Sequence, residues 1–252
     1  MERHFEHSGY VRCVEGSKYA VLMLHGIAGT PAHFNMLYDA IPQDFSIYNM
    51  PLEGHSKGVE DFGRASMSAW KEQARNMAKE ILKKHEYIIC VAHSMGCLFS
   101  IRLAIEDPER IKGLFLLAVP LRPLVKIKTN IACIRLMLGF DKHPSPLMNK
   151  IKNATGIHLV PKPWKYIRWI PRLLELVVET QRVRGFINKL DTPCKTYQSK
   201  NDELVAFSSC KDMKNISCIS NTVLHSSGHF DYSQDDIEIL NQGFAELLKE
   251  IT

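Results

Sequence analysis

Three side chains in this sequence have the types, the order and the settings that acyl-transfer chemistry needs. Ser94 stands in Ala92-His93-Ser94-Met95-Gly96, where the apolar run YIICVA stops at polar residues before a helical pattern resumes. A strand that turns into a helix through small-x-Ser-x-Gly lifts the serine hydroxyl clear of the backbone at the helix N-terminus. A neutral hydroxyl is a weak nucleophile, so it needs a base, itself oriented by an acid. Asp202 in YQSKNDELV and His229 in LHSSGHFDY each sit just past a strand-like run, in the order acid then histidine. Taken alone, Ser94 also fits a helix N-cap, a common use of serine.

An attacked carbonyl develops negative charge and needs backbone N–H donors aimed at it. The turn at Ser94 supplies the Met95 N–H. The loop HGIAG, directly after the first strong strand, is the place for a second, with Ile27 as the donor and Gly26 letting the backbone approach. His25 and His93 adjoin these two loops and are expected to brace them beside the substrate. His225 falls inside a strand pattern and reads as a packed or edge histidine. Asp191 precedes its strand and Asp231 follows His229, and no acid follows LLAVPL, so Asp202 is the carboxylate in place. No metal-ligand spacing or cofactor motif accompanies these residues.

To bring such residues together, the chain must place strand ends side by side. Strand-length apolar runs cover residues 19–24, 45–50, 87–92 and 111–119, and the pattern resumes at 194–199 and 221–226. Between them lie helical patterns, short at PAHFNMLYDAIP, strongly amphipathic over 66–85, then 95–106, near 207–214 and finally 235–250. Near-continuous apolar strands alternating with helices imply a mostly parallel sheet covered on both faces, with ligand sites at the carboxyl ends of the strands.

Residues 122–188 interrupt this alternation. The stretch reads as a helical cap, with apolar stripes in KIKTNIACIRLMLGF and RLLELVVETQRVRGFI around a Pro-rich VPKPWKYIRWIP; residues 1–121 and 189–252 form the core. Trp164, Trp169 and the 173–178 run are candidates to line an acyl pocket. Between Leu121 and Leu190 stand fourteen Lys or Arg and only three acids, Asp141, Glu175 and Glu179, in a chain of net charge +5. The rest of the chain is therefore net acidic. A basic cap could attract an anionic substrate or give weak contact with a negative membrane surface, although a solvated face balanced by the acidic remainder is the simpler reading. Nothing in the sequence suggests nucleic-acid binding, and nothing sets the oligomeric state.

With 252 residues, 45% of them hydrophobic and 23% charged, the composition is that of a globular protein with one sizeable core. Residues 1–18 carry charges throughout and lack the apolar core of a signal peptide, and the longest apolar runs fall short of a bilayer span. The expectation is a cytoplasmic protein. The seven cysteines include no CxxC pair and read as reduced thiols.

In this order, HGIAGTP, PLEGHSKG, AHSMG, NDELV and SGHF resemble α/β-hydrolase fold serine hydrolases, and the chain is similar to compact bacterial carboxylesterases and monoacylglycerol lipases. The resemblance implies Ser94, Asp202 and His229 as triad, Ile27 and Met95 as oxyanion donors, and cleavage of a small-molecule acyl ester without a cofactor. The same machinery serves thioesters, amides and peptides, and a non-catalytic receptor is the reading from another class. Two departures stand out: Ala92 replaces the commoner glycine, and Ser199 to Asn201 lack the glycine often found before the acid.

Overall fold

Alternation decides how the strands are built. In β2 (Tyr19–Leu24), β4 (Tyr87–His93) and β5 (Ile111–Leu117), successive side chains point to opposite faces of one sheet. Ala20, Leu22, Ile88, Cys90, Leu114 and Leu116 feed one buried cluster, whereas Val21, Met23, Ile89, Val91, Phe115 and Leu117 feed the other. Both faces are covered, which is why these strands read as continuous apolar runs. The computed structural model describes residues 8–140 and 142–252. The first seven residues, with which the expected core begins, and Asp141 of the basic segment lie outside the described residues.

Among the described residues seven strands form the sheet in the order β1-β3-β2-β4-β5-β6-β7, with β1 (Tyr10–Arg12), β3 (Ser46–Asn49), β6 (Cys194–Ser199) and β7 (Ile219–Leu224) completing it. All neighbours pair in parallel except β1, which is antiparallel to β3. α1 (Val59–Arg64), α2 (Met67–Leu82) and α3 (Met95–Glu106) contribute to the first cluster. α8 (Gln234–Ile251) and a 3-10 helix at Pro31–Ala40 supply the second. α2 follows its expected pattern, burying Met67, Trp70, Ala74, Ala78 and Ile81 behind an N-cap at Ser66.

Between β5 and β6 lie α4 (Ile127–Met137), α5 (Pro146–Ala154) and α6 (Trp169–Phe186), and α7 (Cys210–Met213) precedes β7. Glu179 of α6 is buried against α2 and α3. Its carboxylate meets Lys71 at 2.9 Å, Arg102 at 2.6 Å and Arg182 of its own helix at 3.6 Å, so a charge that burial alone would penalise is paired three times. Among the described residues no helix is long and apolar enough to cross a membrane.

Several local expectations change. Three short elements escape the pattern: β1 is exposed and only three residues long, α1 occupies what reads as a glycine loop, and α5 falls in a stretch with little periodicity. The helix expected near 207–214 is a 3-10 turn, Phe207–Ser209, followed by a single α turn. β7 ends at Leu224, so His225 lies beyond the strand and is exposed, where its carbonyl accepts from Asn201 Nδ2.

Candidate active site

The β4–α3 turn puts Ser94 at φ 52° and ψ −120°, a conformation that a residue with a Cβ adopts only under constraint. The constraint is visible. The Ser94 N–H donates to the Leu117 carbonyl at 2.9 Å, and a Cβ on Gly96 would lie 1.9 Å from the Leu24 carbonyl oxygen, so only glycine fits there. As the residue before α3, Ser94 occupies the N-cap position yet makes no side-chain capping bond. The capping role that the sequence left open for it is therefore not the one adopted.

Ser94, Asp202 and His229 are in contact, and all three are buried. β6 and β7 are parallel neighbours, so the loops at their carboxyl ends carry Asp202 and His229 to one place. Asp202 Oδ2 lies 2.9 Å from His229 Nδ1, while Oδ1 accepts from the N–H groups of Leu204 at 2.8 Å and Val205 at 2.7 Å. Burial pushes the Asp202 carboxyl up, but His229 and these two donors outweigh it and hold it below the usual carboxylate range. With Nδ1–H donating to a carboxylate, the lone pair of His229 sits on Nε2. A second acid helps to seat this histidine: Glu203 Oε2 accepts the His229 backbone N–H at 2.6 Å. Glu203 was not singled out from the sequence, where its only signal is adjacency to Asp202.

The HGIAG loop packs directly on this turn. A Cβ on Gly26 would come within 3.0 Å of Ser94 Cβ, so the missing side chain sets the approach of loop to turn. Among the described residues the Ile27 N–H has no hydrogen-bond partner. As the first residue of α3, Met95 has an N–H without an intrahelical acceptor. His25 braces the loop from below, its Nδ1 bonding the Gly26 carbonyl at 2.9 Å and its Nε2 accepting the Leu52 N–H at 3.0 Å. From above, the Gly156 N–H donates to the Ala28 carbonyl at 2.9 Å.

His93 packs between His33, at a ring-centroid distance of 3.8 Å, and His229, at 4.7 Å, with both rings tilted against it. His33 had no sequence signal, because it lies in the Pro31–Ala40 helix and not at a strand end. Burial keeps His25, His55 and His93 neutral, lowering His25 from 6.5 to about 4 and the other two well below 6.5. In the unfolded chain such imidazoles bind protons below about 6.5. Between that value and about 4 the unfolded state carries more protons, so stability rises with pH across this window and levels off above it. His25 alone contributes on the order of 3 kcal/mol at full effect. A melting temperature that drops steadily as pH falls through this window is the expected result of a calorimetric pH series; a flat curve there would contradict it.

Against the His229 ring and the HGIAG loop lies a cavity of about 320 Å³. It is lined by His25, Gly26, Ile27, His93 and His229 at its floor and by apolar side chains of α4 to α6 at its walls. Trp169 belongs to it, with its Nε1 donating to the Val59 carbonyl at 2.9 Å. Trp164 does not: it is 63% exposed. A 3-10 turn at Pro163–Tyr166 repeats every three residues and turns Tyr166 inward, which leaves Trp164 on another side. Of the 173–178 run only Leu173 reaches the cavity, because α6 turns Glu179, Thr180 and Val183 toward the core. Among the described residues no cluster of ligating side chains could hold a metal ion.

A family model described as alpha/beta hydrolase fold matches residues 19–156. Among solved structures, one from the metagenome-derived lipolytic enzymes LipS and LipT aligns with TM-score 0.70 and 17% identity, covering 96% of this chain and 98% of that one. A monoacylglycerol lipase from Paleococcus ferrophilus aligns at 0.65 and 12% identity, covering 95% and 99%. A structure from work on carboxylesterases of Nitrososphaera gargenis aligns at 0.67 and 13% identity, covering 96% of each chain. At these identities the likeness is one of fold. No curated protein sequence matches this chain.

Proposed function

Because the chain belongs to the α/β-hydrolase fold family, we propose that it is a serine hydrolase that cleaves carboxylic esters through an acyl-enzyme. One observation carries this reading: a strained, uncapped Ser94 is in contact with a histidine that a carboxylate orients and that itself lines an apolar cavity. His229 Nε2 takes the Ser94 proton as Oγ attacks the acyl carbonyl. The N–H groups of Ile27 and Met95 receive the oxyanion. As the tetrahedral species collapses, the same proton passes to the leaving alcohol, and water then repeats the sequence to free the acid. Asp202 keeps Nδ1 protonated and stabilises the imidazolium that forms at each step.

Residues 122–188 act as a cap over the core, and their inward apolar side chains form the acyl site. The structural neighbours, a monoacylglycerol lipase and structures from work on carboxylesterases and lipolytic enzymes, support an ester substrate. The cavity is at the small end of the range for ligand sites, about 300–1,000 Å³, which favours a single short or medium acyl chain. Across a series of p-nitrophenyl esters, kcat/KM is expected to peak between butyrate and octanoate and to fall steeply toward palmitate. A sharp optimum at acetate would argue against an acyl pocket beneath the cap.

A further inference from the structure

The residues between β5 and β6 turn much of their apolar surface outward. Of nineteen large hydrophobic side chains exposed among the described residues, fourteen lie within 124–178. On α4 and its C-cap, Ile127, Ile131, Ile134 and Leu138 recur at helical spacing and are exposed, while Thr129, Ala132 and Leu136 are buried on the other side. On α6 the same holds for Ile170, Leu174 and Val177 against the buried Glu179, Thr180 and Val183. Ile127 is 78% exposed and Leu174 is 61% exposed, values that leave most of each side chain in water. Contiguous exposed apolar area of this kind marks an interaction site.

Two further observations say what covers it. Ile134 of α4 and Leu173 of α6 are both exposed and both line the cavity against His229, so the two stripes converge at its mouth. Cations also stand among the stripes: Lys128 and Arg135 on α4, and Lys162 and Arg168 before α6, are exposed. No ion pair to any of these four is formed among the described residues. A second copy would bring the same excess of positive charge against this face. A nucleic acid would satisfy the charges but offer nothing to the isoleucines and leucines.

An anionic bilayer satisfies both, because apolar side chains enter the boundary between headgroups and acyl chains while Lys and Arg meet the negative surface. We propose that the outward face of α4 and α6 docks on an anionic lipid membrane and holds the cavity mouth at the lipid–water boundary. Ester hydrolysis is not needed for this docking. If Ser94 is the nucleophile, docking makes the substrate a lipid-borne acyl ester drawn from the membrane itself.

Flotation of the Ser94→Ala protein with vesicles separates the two claims. Vesicles of phosphatidylcholine alone are compared with an equimolar mixture of phosphatidylcholine and phosphatidylglycerol. Binding to the mixture is expected to be at least about tenfold stronger and to weaken as sodium chloride is raised. Ile131→Glu combined with Leu174→Glu should reduce it about tenfold or more, and the same pair in the otherwise unaltered protein should leave turnover of a soluble butyrate ester within about twofold. Lys128→Glu with Arg168→Glu, which spares the apolar stripes, should weaken binding to the mixture about fivefold for each cation lost. Equal binding to both vesicle types, or none to either, would overturn the proposal. So would a dimer in sedimentation analysis that the Ile131→Glu and Leu174→Glu pair converts to monomer, since the face would then be a contact between copies.

Discussion

Ser94→Ala is expected to lower kcat for a short p-nitrophenyl ester by about five to six orders of magnitude, with melting temperature nearly unchanged. The size follows from the unit character of a nucleophile, base and acid: removing the nucleophile leaves only binding and oxyanion stabilisation, which together retain a small part of the rate. The unchanged stability follows from the turn itself. The Ser94 side chain makes no capping bond, and the strained backbone is held by its own N–H to Leu117 and by the close fit of Gly96 against Leu24. Alanine keeps all of these. A variant that folded normally and retained more than about a hundredth of the activity would remove Ser94 from the chemistry. A variant that unfolded would show that the turn depends on the hydroxyl, contrary to the bonding observed.

Asp202→Asn is expected to cost about ten-thousandfold in kcat with KM little altered, and the hydrogen bonds say why. Oδ1 accepts from both Leu204 and Val205 N–H groups, so an asparagine keeps its carbonyl oxygen there and turns its NH₂ toward His229. His229 Nδ1 must then accept, its proton moves to Nε2, and the ring facing Ser94 can no longer act as a base. Asp202→Ala, which has no NH₂ to impose that tautomer, should be no worse than asparagine despite the larger loss of contacts. The carboxyl lies below its usual range, so its contribution to stability is present above the unfolded value and is lost as pH falls through the folded one. In asparagine that acid dependence disappears. Comparison of the two variants' kcat and of their acid melting curves checks both statements; full activity in Asp202→Asn would mean that another group orients the base.

What could be read from residues alone was what repeats. Strands β2, β4 and β5 announce themselves because both faces are buried and nearly every position is apolar, whereas the more polar β6 was readable from its place in the alternation, and α3 and α8 follow from their helical patterns. Ser94, Asp202 and His229 were legible for a related reason: each ends such a strand or follows it closely, and a parallel sheet gathers those ends. What escaped depends on tertiary context. Glu203 acts through a backbone N–H that lies twenty-six residues away, and His33 reaches His93 from a helix on the other side of the loop. In residues 122–188, periodicity identified apolar stripes but not their direction. The stripe of α6 was expected to face an acyl chain, and except for Leu173 at the cavity and Leu176 packed on the core it faces outward, because Glu179, paired with Lys71 and Arg102, fixes the opposite side of the helix against α2 and α3.

A stoichiometric label on the proposed nucleophile tests the account most directly. Incubated with a fluorophosphonate probe and digested, the protein should carry one phosphonyl group, located by mass spectrometry on the peptide that contains Ser94. Labelling should be lost in Ser94→Ala and strongly slowed in His229→Ala, since the probe needs a serine activated by its base. An unlabelled Ser94 in folded protein, or a label that persists at another residue when Ser94 is replaced, would contradict the account.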